Sequence, residues 1–404
     1  MDMQTMKHVD RLAGNPLCVA LRVYDVLRSG GRARKSAGAA ALPKKIGAAG
    51  RPPRIAVIKF WGMGSLILAA PLFYSLRRTY PDAEISLITL GHNRGIIELL
   101  DLSDRVVYLE LPESAAGVAS RIMGLMGRVR ELRPDAVIDL EYLTRFSTIV
   151  SYLSGAPVRV GFHSWDVWRG NLHTAHCAFN PYWHVTDNFL NLHRALSGEK
   201  GVNGPVRIKL NGEEDREAGG LLAAAGVGED ERVIAFNTNA STMALARRWP
   251  EESFAKLIDR VMEAGLGRVA LLGAPEEAPF VGRVLAMTRE PGKIVNLAGK
   301  SSLRGLCGIL RRAALLVTND SGPLHLAGAL GTPTVSFFGP ETPVLFGPRG
   351  EGHATLYRGI DCSPCISIYN AKTVRCMRPE PECLTGIGVD EAFEAVRRSL
   401  GADG

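Results

Sequence analysis

From residue 55 onward, short apolar runs alternate with longer stretches of helical period. The run at 55–60 follows Pro52-Pro53, and a helical period from 66 to 80 ends at Pro81-Asp82. Strand patterns at 84–90, 106–109, 136–140 and 158–162 alternate with helical ones at 96–102, 114–132 and 145–153. This alternation predicts a parallel sheet covered on both faces. Residues 163–185 break the rhythm with three tryptophans, Tyr182 and histidines at 163, 173, 176 and 184. A helix at 187–196 and a Gly-rich linker at 197–205 follow. The alternation then restarts: strands at 233–237, 268–273, 294–296, 315–319 and 334–338, helices at 213–225, 251–264, 275–288, 302–312 and 322–330. Residues 360–388 read as irregular, and 389–400 as a last helix. Two successive doubly wound domains place a cleft between the C-terminal edges of two sheets.

Before residue 55 the pattern differs. A helix is expected over 16–29, with Pro16 in its first turn and Gly30-Gly31 as its stop. Arg22, Asp25 and Ser29 share one face; Leu17, Ala20, Leu21, Tyr24 and Leu27 lie largely on another. Then come Arg32, Arg34 and Lys35 and an Ala/Gly stretch. Residues 1–54 carry eleven Lys and Arg against three Asp, a surplus of eight, although the whole chain is only +7. The remaining 350 residues therefore sum to −1. The basic pI describes an arm and not the body, which argues against a nucleic-acid partner. An amphipathic helix beside a basic cluster suits an anionic inner-membrane surface; a helix packed on the body with a solvated linker is the other reading.

Composition narrows the class further. Apolar residues make up 46% and charged residues 22%, as in soluble globular proteins. No apolar run reaches the ~18 residues of a spanning helix. The run at 17–27 contains Arg22 and Asp25 and does not read as a secretory signal. Seven cysteines fit a reducing cytosol better than a disulfide framework.

Five constellations carry candidate chemistry. Lys59-Phe-Trp-Gly62-Met-Gly64-Ser65 joins the first strand to the first helix, where glycines admit a ligand to the backbone and a helix N-terminus favours anions. Thr318-Asn-Asp320-Ser321-Gly322-Pro323-Leu-His325 ends a strand and starts a helix; Ser321 suits the N-cap, and the N–H groups of Ser321 and Gly322 suit a diphosphate. His325 lies one turn in. Asn237, Asn239 and Arg247-Arg248 follow another strand, with the arginines placed to neutralise a departing phosphate. Asp139 and Glu141 end the strand at 136–140 and are candidates for acid/base work or for helix caps. Cys362, Cys365, Cys376 and Cys383 are spaced either as free, packed thiols or as zinc ligands; no metal is assigned.

Taken together, these residues resemble glycosyltransferase family 9, the ADP-heptose:lipopolysaccharide heptosyltransferases, over about residues 55–400. The resemblance rests on 55–59 with the Gly-x-Gly turn, on Ala70-Pro71, Leu76-Arg77-Arg78 and Tyr80-Pro81-Asp82-Ala83. It continues through Leu153-Ser-Gly-Ala156, Arg159-Val-Gly161-Phe162, His184 and Asp187. Arg247-Arg-Trp249-Pro250 is similar to the family's Lys-x-Trp-Pro, and Asp320-Ser-Gly-Pro-Leu-His325-Leu-Ala to its most specific signature. The Cys362-Ser-Pro-Cys365 tail is similar to that of many members.

The resemblance implies a GT-B architecture, two facing Rossmann-like doubly wound domains with a C-terminal helix crossing back. The chain divides accordingly into an extension at 1–54, an acceptor domain at 55–200, a donor domain at 201–388 and a helix at 389–404 that packs on the acceptor domain. It also implies an inverting, metal-independent transfer without a cofactor, from a nucleoside-diphosphate sugar, ADP-heptose first, to a lipopolysaccharide or lipid-linked glycan on the cytoplasmic face of the inner membrane. The donor would be held by Asn237, Asn239, Arg248, Asp320, Ser321, Gly322 and His325. Arg247 would stabilise the leaving diphosphate, and Gly62, Gly64, Ser65 and His184 would face the acceptor.

Two positions depart from the family pattern. The glycine turn normally ends Gly-Asp, with that Asp as the base; here Ser65 stands there, and a serine hydroxyl is no base at neutral pH without help. Either Glu141 or Asp139 takes the role, or the acceptor differs, or the chain binds a nucleotide sugar without catalysis. The family's Lys before Trp-Pro is Arg247, which keeps the charge and changes the geometry. A GT-B nucleotide-sugar epimerase is a third reading.

Overall fold

The computed structural model describes residues 3–28, 51–111, 117–240, 242–368 and 376–401. They fall into two units, Met1–Ile97 with Asp101–Pro205, and Glu98–Leu100 with Val206–Gly404. The division thus follows Pro205, five residues beyond the expected 200.

The first unit opens with α1 (Met3–Arg28). Then follow β1 (Arg54–Ile58), α2 (Met63–Thr79), β2 (Glu84–Leu90), α3 (Arg94–Leu100), β3 (Arg105–Leu109) and α4 (Val118–Glu131). β4 (Ala136–Asp139), α5 (Arg145–Leu153), β5 (Val158–His163), β6 (Ala175–Ala178) and α6 (Val185–Ser197) complete it. All pairs are parallel, in the order β3-β2-β1-β4-β5-β6. Helices cover both faces, so Ile55, Ala56, Val57 and Ile58 of β1 are all buried, as a doubly covered parallel strand requires.

The second unit runs α7 (Glu213–Ala224), β7 (Val233–Asn237), α8 (Glu251–Glu263), β8 (Arg268–Leu271), α9 (Ala278–Ala286), β9 (Val295–Asn296) and α10 (Leu303–Arg312). It continues with β10 (Leu315–Asn319), α11 (Gly322–Leu330), β11 (Thr334–Phe338), α12 (Pro343–Phe346), β12 (His353–Tyr357), α13 (Glu382–Thr385) and α14 (Val389–Ser399). Its order, β12-β11-β10-β7-β8-β9, is the same winding as the first. Each sheet therefore has one point where the strand order reverses, β1 against β4 and β7 against β10. In open α/β sheets, ligands bind beyond the carboxyl ends of the strands at that point.

Three expectations need correction. The first concerns the N-terminal helix, which starts at Met3 and carries Pro16 inside it, where a first-turn proline was expected. Proline removes a helical hydrogen bond, but contacts on both sides of Pro16 anchor this helix to α5. Upstream, the Asp10 carboxylate accepts from Arg145 N at 3.1 Å and Phe146 N at 2.7 Å; downstream, buried Cys18 packs with Ile149 and Leu172. The basic cluster at 32–35 and the Ala/Gly stretch lie outside the described residues.

The second concerns strands. β6 lies inside the aromatic segment and β12 was not anticipated. Ala-His-Cys-Ala has weak strand propensity, and only pairing of Val160 with Ala175 through His163 with Ala178 makes it a strand. The third concerns α14. Its residues Ala392, Phe393, Ala395 and Val396 join the core of the second unit with Trp249, Phe254 and Phe337, where a return to the first domain was expected. Trp249 stacks on Phe337 at 4.3 Å and donates Nε1–H to Ile387 O at 3.1 Å, just before α14. That hydrogen bond satisfies the buried indole and ties the chain end to the second sheet. No described helix is long and apolar enough to cross a membrane.

Candidate functional site

In the first unit, β1 and β4 pair with Ile58 beside Asp139, so the residues just past them meet. Lys59 Nζ donates to Glu141 Oε1 at 2.9 Å, and the same oxygen accepts from Phe60 N at 2.6 Å and Trp61 N at 3.1 Å. Glu141 thus holds the start of the glycine turn. Gly62 has φ 89° and forms the N-cap of α2, a left-handed backbone that glycine adopts at no steric cost. Gly64 and half-buried Ser65 lie in the first turn of α2, which receives no side-chain cap at Gly62.

Asp139 is fully buried. Its Oδ1 accepts from Glu141 N at 3.0 Å and its Oδ2 from Ser147 Oγ at 2.8 Å, with His173 Nε2 at 3.2 Å and Arg169 Nη1 at 3.5 Å. Burial by itself would raise its pKa, but the His173 hydrogen bond, the charge of Arg169 and the hydrogen bond from Glu141 N outweigh it and hold the carboxyl below its ordinary value. Burial pushes the His173 imidazole down. Arg169 also donates to Thr148 Oγ1 at 2.9 Å and Thr144 O at 3.2 Å, and to Phe162 O. The structure therefore corrects the assignment of Asp139 and Glu141 as candidate bases. Both carboxylates are committed to protein donors, and they order the ends of β1, β4 and α5.

His184 also has a structural role. It is buried, and its Nδ1 accepts from Thr186 N at 3.2 Å as the N-cap of α6. In the aromatic segment, His163 and His176 stack at 4.8 Å. Burial, with His173 and His163 nearby, takes His176 down to about 4. Trp165 and Tyr182 stand exposed on the loops that follow β5 and β6.

In the second unit, the equivalent strand ends carry the other constellation. Asn237 Nδ2 donates to Thr318 Oγ1 at 3.0 Å and Ser321 Oγ at 3.1 Å, joining β7 to β10. Asn319 Nδ2 donates to Thr238 O at 2.9 Å and Asn239 O at 3.1 Å, and its Oδ1 accepts from Trp249 N at 2.9 Å. These bonds bring Asn239, Arg247 and Asp320 together. Arg247 Nη1 lies 3.5 Å from Asp320 Oδ2. Ser321 occupies the N-cap of α11, yet its hydroxyl points to Asn237 and Thr318 and caps no helical N–H. The N-terminus of α11, at Gly322, thus has no side-chain cap, and its backbone donors and positive dipole end suit an anion. His325 is buried in its first turns. Arg248 stacks on Phe280 with its guanidinium 4.2 Å from the ring, which separates its role from that of Arg247.

Cys362, Cys365, Cys376 and Cys383 line one cavity of about 20 Å³ beside Ala246 and Pro340. All seven cysteines are free thiols. Among the described residues, no group of three or more His, Cys, Asp or Glu is arranged to hold a metal ion.

Sequence reasoning missed Arg169, and it named His173 and Asn319 only within their segments, without the roles by which they hold the other residues in place. Lys59 was quoted in the turn motif without a role; its partner at 141 becomes visible only when β1 and β4 are known to be neighbours.

Comparison with known proteins places these features. The pattern described as Glycosyltransferase family 9 (heptosyltransferase) matches residues 122–373. Lipopolysaccharide heptosyltransferase 2 of Escherichia coli (strain K12) is 24% identical over 299 residues, covering 72% of this chain and 84% of that protein. Among solved structures, a glycosyl transferase family 9 protein from Veillonella parvula superposes with TM-score 0.70 at 22% identity, covering 89% of this chain and all of that one. The E. coli ADP-heptose lps heptosyltransferase II superposes with TM-score 0.67 at 20% identity, covering 87% and 99%. The fold is thus GT-B.

Proposed function

We propose that this chain, a heptosyltransferase-type glycosyltransferase that belongs to glycosyltransferase family 9, moves heptose from ADP-heptose to a lipopolysaccharide or lipid-linked glycan acceptor with inversion and without a metal or cofactor. The observation that carries the donor assignment is the uncapped N-terminus of α11 beside the Arg247–Asp320 pair, at the switch point of the second sheet. There Ser321 and Gly322 offer backbone N–H groups to the diphosphate, and Asn237, Asn239, Asp320 and His325 shape the pocket around it. Arg247 neutralises the charge that grows on the diphosphate as the glycosidic bond breaks. The choice of ADP-heptose follows the E. coli protein of the same fold, whose description names that donor.

The acceptor sits against the glycine turn of the first unit in this reading. The extension brings the enzyme to a lipid-borne acceptor on the cytoplasmic face of the inner membrane. α1 supports this with an apolar stripe, Leu12, Val19, Val23 and Leu27, that stays exposed after the helix has docked through Asp10 and Cys18. Such a stripe on a basic segment fits an anionic lipid surface.

A second reading, a nucleotide-sugar-binding scaffold, is favoured by Ser65 and by the engagement of Asp139 and Glu141 in the fold. Calorimetric titration with ADP, UDP, GDP, CDP and dTDP, repeated on Asp320→Ala, separates the possibilities. Micromolar ADP binding that is lost in the variant supports the donor site; tight binding of another nucleotide replaces ADP-heptose as donor. Turnover of ADP-heptose with a heptose-deficient lipopolysaccharide excludes the scaffold reading.

A further inference from the structure

An inverting transfer needs a group to take the proton of the acceptor hydroxyl, and the first unit offers few. β1, which leads into Gly62 and Ser65, has two neighbours, β4 and β2. On the β4 side, Asp139 and Glu141 are buried and already accept hydrogen bonds from the protein. On the β2 side, the turn Gly91–Asn93 follows the strand and presents His92.

Two contacts fix that turn to the glycine turn. Buried Asn93 donates Nδ2–H to Phe60 O at 2.8 Å and to Thr89 Oγ1 at 3.0 Å. The His92 ring lies 6.3 Å, centroid to centroid, from Trp61, the residue immediately before Gly62. His92 is exposed, so its ring nitrogens can meet a substrate. An acid stands behind it. Glu110, just past β3, lies so close to Gly91 that a Cβ there would collide with its carboxylate. Arg94, at the start of α3, holds Glu110 at 3.1 Å and stacks on Tyr108 at 4.1 Å. The charged groups around His92 are therefore Glu110 and, beyond it, Arg94.

We propose that His92 is the general base of the transfer, acting from the turn after β2 in place of the aspartate that the family resemblance leads one to expect at position 65. This rests on the transferase reading above. One imidazole nitrogen takes the proton of the acceptor hydroxyl as that oxygen bonds to the anomeric carbon. The bond from that carbon to the diphosphate oxygen breaks in the same step, and its electron pair leaves with the diphosphate. The imidazolium passes its proton to water, and Glu110 stabilises the charge while it lasts. Partial desolvation by its neighbours lowers the His92 pKa from 6.5 against an opposing contribution from Glu110, so the ring is neutral and ready to accept at pH 7.

The test measures kcat across pH with ADP-heptose and heptose-deficient lipopolysaccharide, alongside ADP affinity. His92→Gln should lower kcat by about 100-fold or more, the usual size of general-base catalysis, with ADP affinity unchanged within about twofold. Wild-type kcat should rise through an acidic limb below pH 6.5 that His92→Gln lacks. Glu110→Gln should move that limb to lower pH, because it removes the group that raises the His92 pKa. Ser65→Asp in the His92→Gln background should recover about tenfold, a fraction of the general-base effect. A His92→Gln enzyme within about threefold of wild type, far below that effect, or one that keeps the same acidic limb, overturns the assignment of His92 alone. A wild-type chain that binds ADP but turns over no donor overturns the transferase reading and His92 with it.

Discussion

Lys59 Nζ and Glu141 Oε1 lie 2.9 Å apart with their side chains 1% and 2% exposed, and the pair joins the ends of two strands that are 82 residues apart in sequence. Removing one partner leaves a charge without compensation in a dry site. Glu141→Ala should therefore destabilise the first unit by about 3–5 kcal/mol. Glu141→Leu combined with Lys59→Met should cost less than Glu141→Ala alone. Urea unfolding of the two variants beside wild type checks this; a loss below about 1 kcal/mol for Glu141→Ala, typical of an exposed pair, would contradict the burial argument.

Asn319 plays the matching part in the second unit, where one side chain satisfies Thr238 O, Asn239 O and Trp249 N. Asn319→Ala leaves Thr238 O and Trp249 N unpaired, and leaves Asn239 O with only the 3.4 Å bond from Asn237 Nδ2; it should cost about 2–4 kcal/mol, at roughly 1 kcal/mol or more per group. Because those bonds also place Asn239 and Arg247, ADP affinity should fall in parallel. Thermal unfolding with and without ADP measures both effects.

Acid should weaken the first unit through its histidines. Burial lowers the pKa of His163, His173 and His193 in the folded state and takes His176 to about 4. The unfolded chain binds these protons from about pH 6.5 downward, and the folded chain does not. Stability is thus fully present above pH 6.5 and declines as pH falls toward 4. His176→Gln should reduce the slope of unfolding free energy against pH over that window. An unchanged slope would remove His176 from the account.

The exposed stripe of α1 can be changed without touching its docked face. Leu12→Glu, Val19→Glu and Val23→Glu together should leave the unfolding midpoint unchanged and abolish sedimentation with vesicles of anionic phospholipid. Binding of wild type to neutral vesicles as strongly as to anionic ones would argue against the charge contribution of residues 1–54.

Asp10 offers a separate reading of the docked face. It supplies the N-cap of α5 from another helix, so Asp10→Ala should cost about 1 kcal/mol, as lost caps do. Hydrogen exchange at Arg145 N and Phe146 N should quicken, since both donate to Asp10.

Much of this was legible in the amino-acid sequence. Short apolar runs alternating with stretches of 3.6 period announced two doubly wound domains, because parallel strands covered on both faces are apolar throughout while the helices packed on them bury one stripe. The polar turns after β1, β4, β7 and β10 were visible as motifs, since glycines and N-cap residues interrupt apolar runs there. Strand order was not legible. It decided that Lys59 meets Glu141, that His173 and Arg169 close on Asp139, and that His92 stands beside Trp61, because parallel pairing brings together residues whose separation carries no local signal. The same applies to Ser321, whose hydroxyl was free to cap α11 until β7 brought Asn237 beside it. Local pattern determined which segments form and which turns can hold an anion. Packing decided which of the charged residues in those turns are held by the protein and which remain for a substrate.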